Sequence, residues 1–360
     1  MNMKNFKLTS LFKKKEKPVL GIDVGSHTIK LAEFAGSGKN RTLRTFGRAM
    51  LPPDVIVDGS IKDHETVGNI LRNLISSCQP KIKRVATSIS GYSVIVKRIH
   101  VPYSNEKDIE ENLLIEAEKY VPFEIDDVYI DFSILKNTQQ EDVEGTDIFL
   151  VAAKKEIVDA YAGLMEAIGL TPAVIDVDAF TLVNAFEMAF GDVSEPAVLI
   201  DIGASKTNLN IIQNGMPVFA RDMAIGGEQL TEAIQEATGL SRDDAEAAKI
   251  SGTKDKVLAE EIRQVVVEMA DLWLDEIKKA INFFKSNAKP EEFPTHIFLS
   301  GGCALLKDLE AHFSKGLEIE ATKLNPFSSV DHSKEIDPAY MDTVSPQMAI
   351  ASGLAIRSAE

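Results

Sequence analysis

The chain has 360 residues, 44% of them apolar and 26% charged, which is globular composition with room for two domains and two cores. Against 39 basic residues stand 55 acidic ones, a formal charge of −16, so a phosphate backbone would be repelled and general nucleic-acid binding is excluded as an expectation. No run of about 18 apolar residues offers a membrane span, the first residues lack a signal-peptide core, and Cys78 and Cys303 lack metal-ligand spacing; a reduced, cytoplasmic setting follows as the expectation.

Met1–Lys17 carries six lysines (Lys4, Lys7, Lys13, Lys14, Lys15, Lys17) against Glu16, with Phe6, Leu8, Leu11 and Phe12 among them. Such a segment either rests on an anionic membrane surface or is a solvated tail. Strands are predicted at Val19–Val24 and Ile29–Phe34, a helix within Asp58–Cys78, and strands at Val85–Ile89 and Ser93–Val101. An acidic helix over Glu106–Tyr120 stops before Pro122. Strands Val128–Leu135 and Ile148–Ala153, separated by a polar acidic loop, precede a helix over Lys155–Ile168. The second half repeats the opening theme: strands Ala197–Ile202, Thr207–Gln213 and Met216–Met223, then a helix over Glu228–Thr238. Val257–Ser286 is the longest helical pattern, with an apolar stripe that includes Met269, Leu272 and Trp273 and reads as core. A strand over His296–Leu299, a helix over Cys303–Phe313 and a closing helix over Pro346–Ile356 follow. Alternating strands and helices favour α/β architecture.

The strongest signal is an internal repeat. Residues 20–31 read Leu-Gly-Ile-Asp-Val-Gly-Ser-His-Thr-Ile-Lys-Leu, and residues 199–209 read Leu-Ile-Asp-Ile-Gly-Ala-Ser-Lys-Thr-Asn-Leu. Each has a buried strand, Asp-x-Gly, a small polar turn and a second strand, about half the chain apart, as duplicated domains require. A triphosphate needs close backbone N–H groups, which Gly25 and Gly203 permit. Ser26, Thr28 and Lys30 add donors in the first hairpin; Ala204, Ser205, Lys206 and Thr207 complete the second. Asp23 and Asp201 end their strands, where two carboxylates suit a hydrated Mg²⁺ and the orientation of an attacking water. His27 shares the first turn, but the scheme does not require it; it reads as an exposed turn residue. At Ser300-Gly301-Gly302, continuing to Ala304, a strand runs into a helix, and two glycines let a flat ring and its ribose approach the backbone. No P-loop motif is present.

Together these motifs resemble the actin-like ATPase superfamily, a ribonuclease H-like duplicated, two-lobed α/β fold with two phosphate hairpins, an adenosine motif and two connecting helices. Ile175–Phe190, with Asp176 and Asp178, is similar to the first connecting segment, and Pro346–Ile356, with Ala351-Ser352-Gly353-Leu354-Ala355, to the second. Within its FtsA-like branch the chain resembles the PilM-type pilus assembly family. The likeness runs through Gly21–Ser26, Asp176-x-Asp178-x-Phe180, Asp201–Ala204, Gly226-Gly227-x-x-Leu230-Thr231, Ala245-Glu246 with Lys249, and Ala117–Phe123. It implies a basic tail at 1–18, a first lobe built from 19–91, 169–195 and 340–360, and an inserted FtsA-like subdomain at 92–168. It further implies a second lobe at 196–339, with 227–289 as its helical subdomain.

The resemblance also implies ATP and Mg²⁺ as ligands, a ribose contact at Glu246 and Lys249, and slow hydrolysis at most. The expected partner is the N-terminal cytoplasmic peptide of a PilN-type membrane protein, in a pilus inner-membrane platform that includes the motor ATPase. Membrane association would be peripheral, through the partner. One wall of the peptide groove would be Leu113, Leu114, Ala117, Tyr120 and Val121, with Glu110, Glu111 and Glu116 attracting basic residues. The competing reading of those apolar residues is the helix's own core face. Two other functions fit the fold class: a small-molecule kinase with Asp178 as base, and an FtsA-like filament protein, although the C-terminal amphipathic helix of FtsA has no counterpart before Glu360.

Overall fold

The computed structural model describes residues 17–135, 145–191 and 193–359; the basic segment 1–16 lies outside them. Two sheets carry the repeat. The first has six strands in the order Thr171–Val177, Arg84–Ile89, Leu20–Val24, Thr28–Ala35, Thr42–Met50, Asp331–His332. The second has five, in the order Met216–Met223, Thr207–Gln213, Ala197–Ile202, His296–Ser300, Glu320–Lys323. The shared plan is visible in the pairing. Leu20–Val24 runs antiparallel to Thr28–Ala35 and parallel to Arg84–Ile89. Likewise, Ala197–Ile202 runs antiparallel to Thr207–Gln213 and parallel to His296–Ser300. Asp23 sits opposite Lys30 in the first hairpin, and Asp201 opposite Asn208 in the second.

These central strands are buried on both faces, which explains their continuous apolar runs. Between the sheets cross two helices, Asp178–Phe190 and Ala349–Ala355. Their Leu182, Phe186, Ile350 and Leu354 form one cluster with Val19 and Ala86 of the first half and Leu199 and Ile212 of the second. Small residues set this crossing: a Cβ on Gly353 would lie 1.8 Å from the Thr181 carbonyl oxygen, and one on Gly21 2.1 Å from that of Ala351. Arg357, just past the second helix, pairs with the buried Asp176 on Thr171–Val177.

A third, antiparallel sheet orders Val94–Val101, Thr146–Lys154 and Val128–Ile134, and packs its core against the acidic helix Glu106–Glu118. Beside the second sheet, helices Gly227–Thr238, Arg242–Ser251 and Lys256–Lys285 bury Ile234, Ala245, Trp273 and Ile277. Three sequence expectations change here. Leu272, read as part of the core stripe of the long helix, is exposed, while Met269 and Trp273 pack inward. The helix over Cys303–Phe313 is broken: a single turn, Gly302–Leu305, gives way to extended Leu306, and the helix restarts at Leu309–Leu317. Asp308 precedes that restart with φ 64°, a left-handed conformation that aspartate tolerates better than most residues. The closing helix is shorter, with a 3₁₀ turn over Ser345–Met348 before Ala349–Ala355.

Candidate functional site

Both hairpin turns open on one cleft of about 840 Å³. Gly25 N–H donates to the Thr28 carbonyl at 3.1 Å and Gly203 N–H to that of Lys206 at 2.9 Å, so the turns are built alike. A Cβ on either glycine would come within 3.1 Å of that same carbonyl, which crowds any larger residue in the turn. The tips meet across the cleft, where Ser26 Oγ donates to Ser205 Oγ at 3.0 Å.

The two aspartates have different surroundings. Lys30 Nζ donates to Asp23 Oδ2 at 2.9 Å, neutralising it in place. Asp201 accepts from Ser300 Oγ at 2.7 Å. Burial pushes its carboxyl up to about 6, with Asp23 and Asp178 nearby reinforcing the rise and the Ser300 hydrogen bond and Lys30 opposing it. Among the described residues no three His, Cys, Asp or Glu side chains gather as a metal cage. Two strand-end carboxylates still fit Mg²⁺, which keeps several waters and takes further oxygens from phosphate.

On the far wall stands a second polar group. Glu246, on Arg242–Ser251, accepts from Thr231 Oγ at 2.6 Å and pairs with Lys249 at 2.5 Å. Burial favours the neutral acid, but Lys249 and Thr231 prevail and hold Glu246 below the ordinary carboxylate range. Lys249 also donates to the Gly227 carbonyl at 3.1 Å. His27 is a correction: instead of being exposed it is half-buried, its Nε2 3.7 Å from Glu246 Oε1 across the cleft and without a hydrogen-bond partner among the described residues. Burial lowers its pKa, against the pull of Glu246. Gly301, Gly302 and Cys303 line the same end, and burial raises the Cys303 thiol to about 12.

Three expected residues lie behind the cleft surface. Thr207 is fully buried, and its hydroxyl donates to the Ile225 carbonyl at 2.8 Å. Ala304 is buried in the core. Gly226 backs the second hairpin, where a Cβ would meet the Ala204 carbonyl oxygen at 2.4 Å. The next two amides hold the same turn, Gly227 N–H donating to the Gly203 carbonyl at 2.9 Å and Glu228 N–H to that of Ala204 at 2.8 Å. Of the five residues expected on the peptide wall, Ala117 and Val121 are buried in the subdomain core, with Leu113 and Tyr120 packed against them, and Leu114, 56% exposed, faces outward. Glu116 is buried and paired with Lys119 at 2.8 Å. Most of that proposed wall is therefore the helix's own packing face.

Sequence reasoning assigned to the groove none of the residues that line the cleft's other arm. Beyond the hairpins the cavity continues past Met50, Ile56, Tyr92, Ile95 and Phe123, between the first sheet and the three-stranded sheet. It also missed how Asp178 is held. Lys206 Nζ lies 3.1 Å from Asp178 Oδ2, Ser88 Oγ donates to Oδ1 at 2.6 Å, and Ser90 Oγ donates to Oδ2. Burial would raise this carboxyl, but Lys206 and the two serines hold it below the ordinary range. A carboxylate engaged on both oxygens is poorly placed as the free base of a kinase.

Two sheets of one plan, joined by crossing helices and turning paired Asp-x-Gly hairpins into a shared cleft, define the actin-like ATPase fold. Solved structures agree: the ethanolamine utilization protein EutJ from Carboxydothermus hydrogenoformans is 15% identical with TM-score 0.57, covering 95% of this chain and 90% of its own. MreB5 of Spiroplasma citri bound to ADP is 15% identical with TM-score 0.51, covering 94% of each chain. The chain belongs to the PilM family: the family model for type IV pilus assembly protein PilM matches residues 21–359. A PilM–PilN type IV pilus biogenesis complex is similar at 27% identity and TM-score 0.83, over 96% of this chain and 99% of that one. This is thus an actin-like protein of type IV pilus assembly, and among the described residues no helix is long and apolar enough to cross a membrane.

Proposed function

We propose that the protein binds Mg–ATP between its hairpins and uses the adjoining groove to hold the N-terminal cytoplasmic peptide of a PilN-type membrane protein. The observation that carries this reading is the continuity of one cleft, from the paired turns at Gly25 and Gly203 to the apolar arm at Met50, Ile56, Tyr92, Ile95 and Phe123. The cleft divides a first lobe (19–91, 169–195, 340–360) from a second (196–339), with 92–168 inserted beside the groove. Backbone amides and hydroxyls of Gly25, Ser26, Thr28, Gly203, Ala204 and Ser205 would cradle phosphates. Asp23 and Asp201 would hold hydrated Mg²⁺, which supplies charge neutralisation for the phosphates. Glu246 and Lys249 would meet the ribose, and Gly301 and Gly302 the base. The nucleotide's main work is to set the closure of the lobes, with slow hydrolysis at most. Apolar residues of the peptide would seat against Tyr92, Ile95 and Phe123, and Asp58 at the same arm favours a basic peptide. The protein would then lie at the cytoplasmic face of the inner membrane, attached through PilN, within reach of the pilus motor ATPase.

The test is a titration of labelled PilN N-terminal peptide by fluorescence anisotropy. Saturable binding is expected, weakened about tenfold or more by Tyr92→Ala, since the exposed ring is the largest apolar anchor offered. Absence of binding, or unchanged affinity in the variant, removes the groove assignment.

A further inference from the structure

The second hairpin does more than face the cleft. Its strand Thr207–Gln213 and turn send two links to the segment that enters the inserted subdomain. Lys206 Nζ donates to Ser90 Oγ and pairs with Asp178, which Ser90 also contacts. Two residues on, Asn208 Nδ2 donates to Asp222 Oδ1 at 2.6 Å, and Asp222 Oδ2 accepts the Gly91 N–H at 2.7 Å. Residues 90 and 91 are therefore both tied to the second sheet. Immediately after them come Tyr92, 75% exposed on the groove, and the strand Val94–Val101 carrying Ile95.

We infer that Lys206 reads the terminal phosphate of the nucleotide and, through Asp178 and Ser90, relays its presence to the peptide groove. The inference rests on the nucleotide and peptide assignments above. Its physical basis is competition for one ammonium. Lys206 is the cation at the second phosphate turn, and in this arrangement its charge is spent on Asp178 and Ser90. A terminal phosphate offers a more highly charged set of acceptors. Drawing Lys206 toward it leaves the enclosed Asp178 carboxylate short of its cation, which is costly, so the Asp178–Ser90 end of the network rearranges. Ser90 is then released from Lys206, and Tyr92 and Ile95 lose one of the two anchors that fix one groove wall, the Gly91–Asp222 link remaining. A wall that must be ordered on binding grips a peptide less tightly than one already fixed. The triphosphate therefore weakens peptide binding relative to the diphosphate, and by linkage the peptide weakens triphosphate binding by the same factor.

The experiment measures affinity of the labelled PilN peptide for the full chain saturated with Mg–ADP or with a non-hydrolysable Mg–ATP analogue. In wild type the triphosphate form binds peptide at least about fivefold more weakly, the lower end of ordinary coupling. Asp178→Asn and Ser90→Ala each reduce that ratio below about twofold, because the relay is cut while the hairpin residues remain. Circular dichroism and urea unfolding verify that both variants fold, and two independent substitutions guard against one failing. Equal affinity in the two nucleotide forms of wild type, with both ligands bound, overturns the relay and leaves the site assignments standing. A full ratio persisting in both variants also overturns it. Failure of nucleotide or peptide to bind wild type removes the underlying assignment, and the relay with it.

Discussion

Gly353→Ala tests the joint on which the cleft depends. The added methyl would sit 1.8 Å from the Thr181 carbonyl oxygen and 3.2 Å from the Ala185 nitrogen, where ordinary contact begins near 3.4 Å. Helix Ala349–Ala355 would have to retreat by roughly 1.5 Å, and a shift that large in a packed core is not absorbed by rotamer changes. It cannot retreat freely, because Gly21 already brings the strand Leu20–Val24 against the backbone of Ala351 and Ala355 on another side. Overpacking ordinarily costs 1–3 kcal/mol, and a backbone-to-backbone clash belongs at the top of that range, so we expect a loss of about 3 kcal/mol or more. The assay is equilibrium unfolding in urea, with Gly163→Ala as control. Gly163 lies within helix Lys155–Ala167 with no described atom within 4 Å of its missing Cβ, so alanine there should add about 0.5–1 kcal/mol. Similar, small effects of both substitutions would refute the close crossing of the two helices.

Glu33→Ala should cost about 3 kcal/mol in the same assay, because the fully buried carboxylate accepts from the amides of Lys81 at 2.6 Å and Ile82 at 2.9 Å and pairs with Arg44; an unchanged midpoint would contradict that caging role. Asp201→Asn should stabilise the nucleotide-free protein at pH 7. Its carboxyl is raised in the folded state from 3.8 to about 6, so ionisation opposes folding by at most about 3 kcal/mol, a penalty complete above pH 6 and absent below pH 3.8. Wild-type stability should accordingly fall relative to the variant as pH rises through that window, and parallel pH profiles would count against the buried setting of Asp201.

The hairpins were legible because their chemistry is local: strand, aspartate, glycine and polar turn are contiguous, and both copies occupy matching places in their sheets. Local adjacency also misled. Thr207 neighbours Lys206 in the motif, yet it opens the strand and turns inward, its hydroxyl on the Ile225 carbonyl, while Lys206 in the turn lines the cleft. The strand Thr42–Met50 was missed because Arg44, Thr45 and Arg48 break its apolar alternation; only Leu43 and Gly47 are buried. Helix Arg242–Ser251 was read only through Glu246 and Lys249, although Ser241 caps it by accepting from the Asp244 amide at 3.2 Å. On the acidic helix, Leu113, Ala117, Tyr120 and Val121 follow the spacing of a helix face, and spacing cannot tell a face turned to its own sheet from one turned to a partner. The group around Asp178 draws Ser88 and Ser90 from one segment and Lys206 from another, both distant in sequence, and no pattern along the chain unites them before the sheets are paired.

The central claim is that one nucleotide lies between the two Asp-x-Gly turns, and isothermal titration calorimetry with Mg–ATP tests it most directly. The account predicts one site per chain, with affinity reduced about tenfold or more by Asp23→Ala and by Asp201→Ala, each of which removes a carboxylate from the metal's hydrogen-bonded shell. Undiminished Mg–ATP binding in both variants would contradict it.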